Sequence, residues 1–382
     1  MSPRVREATH SGSWYVSSGK KLDQQLSEWL AQVEPSTIPS PPRSVIDVDV
    51  EAESRATTAD DGGIEMPAKG LKAVIAPHAG YSYSGPAAAW AYASIDPSQY
   101  TRVFILGPSH HLYLDGCALS SCDAYATPLG DLPIDKATVA ELRSSGQFER
   151  DMKLDVDEAE HSIEMHLPYI RKVFQDHEIG IVPILIGSIS TKKEGVFGKL
   201  LAPYLADPTT LFVTSSDFCH WGSRFGYTYY NTTSSPKSST TLSSRGAVPD
   251  TAVPIHASIR SLDGAAISHL TYPLRIPLPD PTASASSSSN PATSAEESGP
   301  KGAADARESF ASYLAQTKNT ICGRHPIGVL LGALEALEEK QERQQHYSTE
   351  LRFTRYEQSS KCETARDSSV SYASAIVKFN YK

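Results

Sequence analysis

A chain of 382 residues with 40% hydrophobic content is long enough for one large domain or two ordinary ones. Its formal net charge of -9 and pI near 5.8 leave no basic stripe, which excludes the phosphate-binding footprint of a nucleic-acid partner. No run reaches the roughly 18 consecutive apolar residues of a membrane span, and the N-terminus lacks the apolar core of a signal peptide.

In chain order, Leu22, Leu26, Trp29, Leu30 and Val33 mark an amphipathic first helix that Pro35 ends. A strand over 72–76 precedes an alanine-rich helix from about Pro86 to Tyr92, and a strand over 102–106 precedes a loop and a further strand near Cys117 to Ser120. A helix around Ile163 to Phe174, strands at Ile181 to Ile186 and 211–215, and helices at Pro254 to Leu270 and Pro326 to Glu339 follow. Closing strands lie near Leu351 to Tyr356 and Val370 to Phe379. This alternation predicts an α/β fold with a mixed, largely parallel central sheet and helices on both faces.

Residues 35–69, 232–252 and 273–304 are rich in Pro, Ser, Thr and Ala, or acidic and apolar-poor, as in Asp47 to Glu53. Such stretches bury too little apolar surface to offset chain ordering, so they read as disordered insertions in a single domain over 1–382. Five cysteines, an odd number spread from Cys117 to Cys362, suit reduced thiols, so a cytoplasmic and also nuclear location is expected.

Chemistry concentrates at strand ends. His78 in Ala76-Pro77-His78-Ala79-Gly80-Tyr81 and His110 in Gly107-Pro108-Ser109-His110-His111 each follow a short apolar run and sit in a Pro/Gly turn. That placement delivers two imidazoles to the carboxyl edge of a sheet, where open α/β folds gather their chemistry. Leu211 to Trp221 has the same grammar and brings Asp217 and His220 to that edge, so a metal or acid/base site is expected. Cys322 precedes an apolar helix and Arg324, a setting that favours thiolate, and Gly323 permits close backbone approach. Cys322 is a nucleophile, a metal ligand or a buried structural thiol.

In Asp155 to Tyr169, His161 and Glu164 share a helix face, and His161 with Glu160 and Glu164 forms either a proton-transfer group or a structural one. His166, beside Pro168, reads as a capping histidine, His111 as pointing away from His110, and His177, His256, His269 and His346 as surface residues.

In the blocks Thr9 to Tyr15, Ala76 to Tyr81, Leu106 to His111, Glu160 to Pro168, Ser215 to Gly222, Cys322 to Pro326 and Asp367 to Tyr372, the sequence resembles the Memo family, named for mediating receptor-driven cell motility in animals. The resemblance implies a fold similar to the class III extradiol (LigB-like) dioxygenases, which hold non-haem Fe(II) on two histidines and a glutamate. By motif, His78 and His110 match the histidines and Cys322 stands in the glutamate's place. The implied metal ligands are therefore His78, His110 and Cys322, with Fe(II) or a Cu ion as cofactor, since a thiolate suits copper as well. Asp217, His220 and His161 become the groups that orient ligands or move protons, and Trp14, Tyr15 and Tyr81 could line the rim.

Two functions are compatible with this reading. The first is a metal-dependent oxidoreductase that activates dioxygen or a related small oxidant in signalling or metal homeostasis, with extradiol ring cleavage not expected because the carboxylate is replaced. The second is a non-catalytic module that binds a peptide or phosphopeptide in the same cleft.

Overall fold

The computed structural model describes residues 3–35, 64–148, 150–231, 239–243, 253–273, 299–341 and 347–381. Its elements begin with β1 (Val5–Arg6), α1 (Gly19–Ala31), β2 (Leu71–Ala76), α2 (Tyr81–Tyr92), β3 (Arg102–Pro108), β4 (Cys117–Leu119), β5 (Ala124–Tyr125), β6 (Leu132–Pro133), α3 (Lys136–Ser144) and β7 (Arg150–Asp151). Next come α4 (Leu154–Ala159), α5 (His161–Glu164), α6 (Leu167–Val173), β8 (Gly180–Ile186), α7 (Thr191–Ala206), β9 (Thr210–Ser215), β10 (Asp217–Trp221), β11 (Tyr229–Asn231) and β12 (Ser239–Thr241). The chain closes with α8 (Ile255–Leu270), α9 (Ala303–Thr317), α10 (Arg324–Gln341), β13 (Tyr347–Gln358) and β14 (Ser369–Tyr381).

The main sheet runs β10-β14-β2-β9-β3-β8-β4-β7, with β13 also paired to β14. Its centre is parallel: β9 pairs with β2 on one side and β3 on the other, and β3 pairs with β8. These strands are buried on both faces, which explains their continuous apolar runs. One flank is antiparallel, because β13 and β14 form a hairpin and β14 then pairs with β2 and β10, while on the other β4 pairs antiparallel with β8 and parallel with β7. The sheet is thus mixed α/β, and the site leaves from three strands of its central parallel run, β2, β9 and β3.

Several boundaries differ from the sequence reading. α2 begins at Tyr81 rather than Pro86, because the Gly80 carbonyl already accepts from the Tyr83 and Ser84 amides, leaving Pro86 inside the helix. The expected helix from Ile163 to Phe174 is split into α5 and α6 around Met165 and His166, with Pro168 in the first turn of α6. The sequence reading did not anticipate α7, where Gly195, Gly198 and Pro203 blur the periodicity. Gly198 is needed because a Cβ there would stand 2.5 Å from the Ala333 amide nitrogen of α10.

The three stretches read as insertions contribute their ends to the fold. Ile64 and Ala68 are buried, β12 pairs with β11 and leads to buried Leu242, and α9 opens on buried Ala303, whose amide donates to Glu338 Oε2 at 2.8 Å. The remainder, 36–63, 232–238, 244–252 and 274–298, lies outside the described residues. α8, which lies between two of these stretches in sequence, packs on α9, with Tyr313 OH donating to the Leu262 carbonyl at 2.8 Å.

Candidate metal centre

Three strand exits build the site. β2 and β9 run parallel with Ala76 opposite Ser215, so His78 and Asp217, each two residues beyond the paired ends, emerge side by side. The His78 amide donates to Asp217 Oδ1 at 2.8 Å and ties the two turns together. β3, on the other flank of β9, delivers His110.

The buried His78 ring has a defined tautomer. Its Nδ1 lies 2.6 Å from Ser215 Oγ, and that hydroxyl donates its only proton to the Ser162 carbonyl at 2.7 Å. Ser215 Oγ can therefore only accept from His78, so Nδ1 carries the ring proton and Nε2 offers a lone pair. Nε2 lies 3.1 Å from Cys322 Sγ. Burial, reinforced by the surrounding imidazoles, pushes the His78 pKa well below its usual value and keeps the ring neutral.

His110 and His220 follow the same rule. His110 sends its amide to Glu160 Oε2 at 2.7 Å and its Nδ1 to Oε1 at 2.9 Å. Burial alone would raise the Glu160 pKa, but the hydrogen bonds from His110 hold it down to about 2, so the carboxylate is ionised and only accepts. His220 Nδ1 donates to the Phe218 carbonyl at 2.9 Å. Each ring is thereby left with Nε2 as its free nitrogen, the arrangement by which oxygen acceptors orient metal-binding histidines.

Cys322 arrives from the loop between α9 and α10. Gly323 beside it is required, since a Cβ would meet the Ser215 carbonyl oxygen at 2.3 Å. The expectation of a thiolate in the free site is corrected by the fold. Burial, followed by the charge of Asp217, pushes the Cys322 thiol well above its ordinary range and outweighs the backbone amides and Arg324. Only a bound cation would reverse this balance.

Donor atoms of His78, His110 and Cys322 all lie within 4.8 Å of one another. Two donors sharing one tetrahedral ion stand roughly 3.5 Å apart, between this bound and the 3.1 Å separation of His78 and Cys322. The residues therefore fit a soft or borderline cation. Asp217, His220 and Cys322 form an overlapping group, and so do His110, Glu160 and His161. In the latter, Glu160 already accepts from the His110 amide and ring and from the Ser162 amide, so it orients His110 rather than opening a second centre.

His161 stacks on His110 with ring centroids 4.4 Å apart, and Trp14 covers it at 4.5 Å. Burial depresses the His161 pKa to about 3. Trp14 is 36% exposed and lies at the rim, whereas Tyr15 and Tyr81 are buried beneath it.

Sequence reading missed a buried charge cluster under the site. Arg6 pairs with Glu164 Oε2 at 2.7 Å and Asp157 Oδ1 at 3.2 Å, and Glu164 also accepts from His10 Nδ1, the His10 amide and Tyr15 OH. Nothing in its spacing separates Arg6 from a surface arginine. His166 is likewise no backbone cap: it is fully buried, with Nδ1 2.8 Å from Tyr92 OH. His111 and His177 are exposed, His256 and His269 are partly buried rather than at the surface, and His346 lies outside the described residues.

A sequence profile described as Memo-like protein matches residues 6–273 and 303–376. The chain belongs to the Memo family. Among Memo relatives, it is 43% identical to Protein MEMO1 of Homo sapiens over 99% of each chain and 42% identical to Protein MEMO1 of Danio rerio, again over 99% of each. The Protein memo-1 homolog of Caenorhabditis elegans is 37% identical over 98% of this chain and 82% of its own. No helix among the described residues is long and apolar enough to cross a membrane.

Proposed function

We propose that this Memo protein holds one iron or copper ion on His78, His110 and Cys322 and works as a metal-dependent redox protein with dioxygen or a related small oxidant. The observation that carries this reading is the set of imidazoles whose Nδ1 atoms are engaged by oxygen partners, leaving Nε2 lone pairs around one thiol. The ion would supply one-electron redox chemistry.

The chain's own residues supply the rest. Ser215 and Glu160 hold the two ligand rings. Asp217, buried and held by the His78 amide, lies with His220 beside Cys322, where the pair can take or return a proton. His161, neutral and stacked on His110, shields the ligand from water on the Trp14 side. Extradiol ring cleavage is not part of this function, because a thiol stands where that chemistry uses a carboxylate. The free cysteines suit a reducing, cytoplasmic or nuclear compartment.

Elemental analysis after anaerobic, chelator-free purification should find about one equivalent of Fe or Cu per chain, the stoichiometry of one three-ligand site. No uptake, or unchanged uptake after replacing His78, His110 and Cys322 together, overturns it. The exposed face of Trp14 against His161 favours a second reading, a cleft that binds a peptide or phosphopeptide. Peptide affinity that persists without metal and falls on Trp14→Ala would select that reading.

A further inference from the structure

Behind the metal-site histidines lies a second arrangement that the proposed function does not use. Tyr92 and His166 are fully buried, and the phenol oxygen sits 2.8 Å from His166 Nδ1. His166 Nε2 is buried without a hydrogen-bond partner. If Nδ1 carried the ring proton, the phenol hydrogen and the Nε2 lone pair would both be left unpartnered; if Tyr92 donates, only Nε2–H is. The second arrangement leaves one orphan instead of two and is favoured. Tyr92 therefore points its proton at a neutral imidazole, whose pKa burial depresses to about 3.

Tyr92 is also the inner end of a chain of rings. It stacks on Tyr169 at 4.5 Å and 4°, Tyr169 lies 5.5 Å from Tyr81, and Tyr81 lies 6.1 Å from Trp29 and 5.4 Å from Tyr15. Trp29 is partly exposed, so the series runs from the dry interior to solvent. Tyr81 opens α2 three residues after His78, which sets the middle of the chain beside the candidate metal centre.

A buried phenol is a poor electron donor unless its proton can leave with the electron, because a phenol radical cation in a dry interior has no solvent to stabilise its charge. A hydrogen-bonded neutral imidazole lowers that cost, because an oxidised phenol is a far stronger acid than even a buried imidazolium and passes its proton across the existing bond. We propose that Tyr92 is a proton-coupled redox side chain, and that the packed rings of Tyr169, Tyr81 and Trp29 form the path by which its electron reaches the surface, the two intervening phenols keeping their protons on backbone carbonyls. A one-electron oxidant takes an electron from the chain. The Tyr92 O–H bond breaks, its proton forms a new N–H bond at His166 Nδ1, and a neutral tyrosyl radical and an imidazolium remain while the oxidant is reduced by one electron. The relay rests on the redox reading only for its physiological oxidant, an oxidised metal ion at the site.

The test uses the full chain stripped of metal, with photo-oxidised ruthenium tris-bipyridine as the one-electron oxidant and electron paramagnetic resonance as the readout. The wild type should give a persistent tyrosyl signal with coupling to an exchangeable proton and to an imidazole nitrogen. Tyr92→Phe should abolish it, His166→Gln should reduce its yield without a matching loss of thermal stability, and Trp29→Phe should slow its appearance. An unchanged persistent signal in Tyr92→Phe or an unchanged yield in His166→Gln overturns the proposal. If either variant fails to fold, the wild-type spectrum decides, and absence of the nitrogen coupling overturns it. Because the protein carries no metal in this assay, failure of metal binding and failure of the relay register separately.

Discussion

Ser215 decides which nitrogen of His78 faces Cys322. Its hydroxyl proton is committed to the Ser162 carbonyl, so it can only accept from His78 Nδ1, and Nε2 is left as the donor atom 3.1 Å from the thiol. Ser215→Ala removes that acceptor and lets the ring protonate at Nε2. Metal affinity should fall about 10- to 100-fold, the usual effect of losing an orienting partner, with stability lowered by roughly 1 kcal/mol. Competition against a chelator, alongside urea unfolding, measures both, and unchanged affinity would remove Ser215 from the site.

Cys322→Ser replaces a soft donor with a hard one. Copper binding should weaken more than manganese binding, because thiolate softness is what is lost. Paired titrations of wild type and variant give the ratio, and equal losses for the two metals would separate Cys322 from the first coordination sphere.

Arg6→Met should be among the more damaging single changes. It leaves Glu164 and Asp157 buried without their cation, and breaking a buried pair from one side costs about 3–5 kcal/mol. Equilibrium urea unfolding measures the loss, and a cost near that of a surface arginine would show the cluster to be inert.

Asp263 sets a pH dependence of definite sign. It is fully buried in α8, and burial raises its pKa from the ordinary 3.8 to about 6 despite donors from Asn319, Tyr356 and the Cys219 amide. A carboxyl raised in the folded state binds its proton more tightly there than in the unfolded chain. Its contribution is full below about pH 4 and is lost as pH rises through 6. Asp263→Asn should flatten the decline in stability between pH 4 and 6, even though its amide clashes with the donors and lowers stability throughout. Urea midpoints across that range, compared with wild type, check the sign.

The long Ser/Pro stretch between α8 and α9 should be removable only up to the start of α9. Replacing 274–298 by a short Gly/Ser linker should leave stability nearly unchanged, since loop closure varies by only about 0.6 kcal/mol per doubling of length. Extending the deletion through residue 304 removes buried Ala303 and its bond to Glu338, and should lower the melting temperature. Equal melting temperatures for the two deletions would contradict the assignment of Ala303 to the core.

The sequence by itself determined the strand ends that matter. β-branched runs followed by Pro/Gly turns located His78 and His110, the run from Leu211 located Asp217 and His220, and Gly323 announced the close approach beside Cys322, because these signals are local and depend on backbone conformation within a few residues. Only the tertiary structure decided the rest. The tautomers of His78 and His110 depend on Ser215, Ser162 and Glu160, and the cluster under the site joins Arg6 to Asp157 and Glu164 across some 150 residues of chain. The protonation of Cys322 reversed for the same reason: its immediate neighbours favour thiolate, but depth of burial and the charge of Asp217, supplied by a strand more than a hundred residues away, outweigh them. Pairwise contacts and local dielectric are set by what packs together, and no periodicity along the chain encodes them.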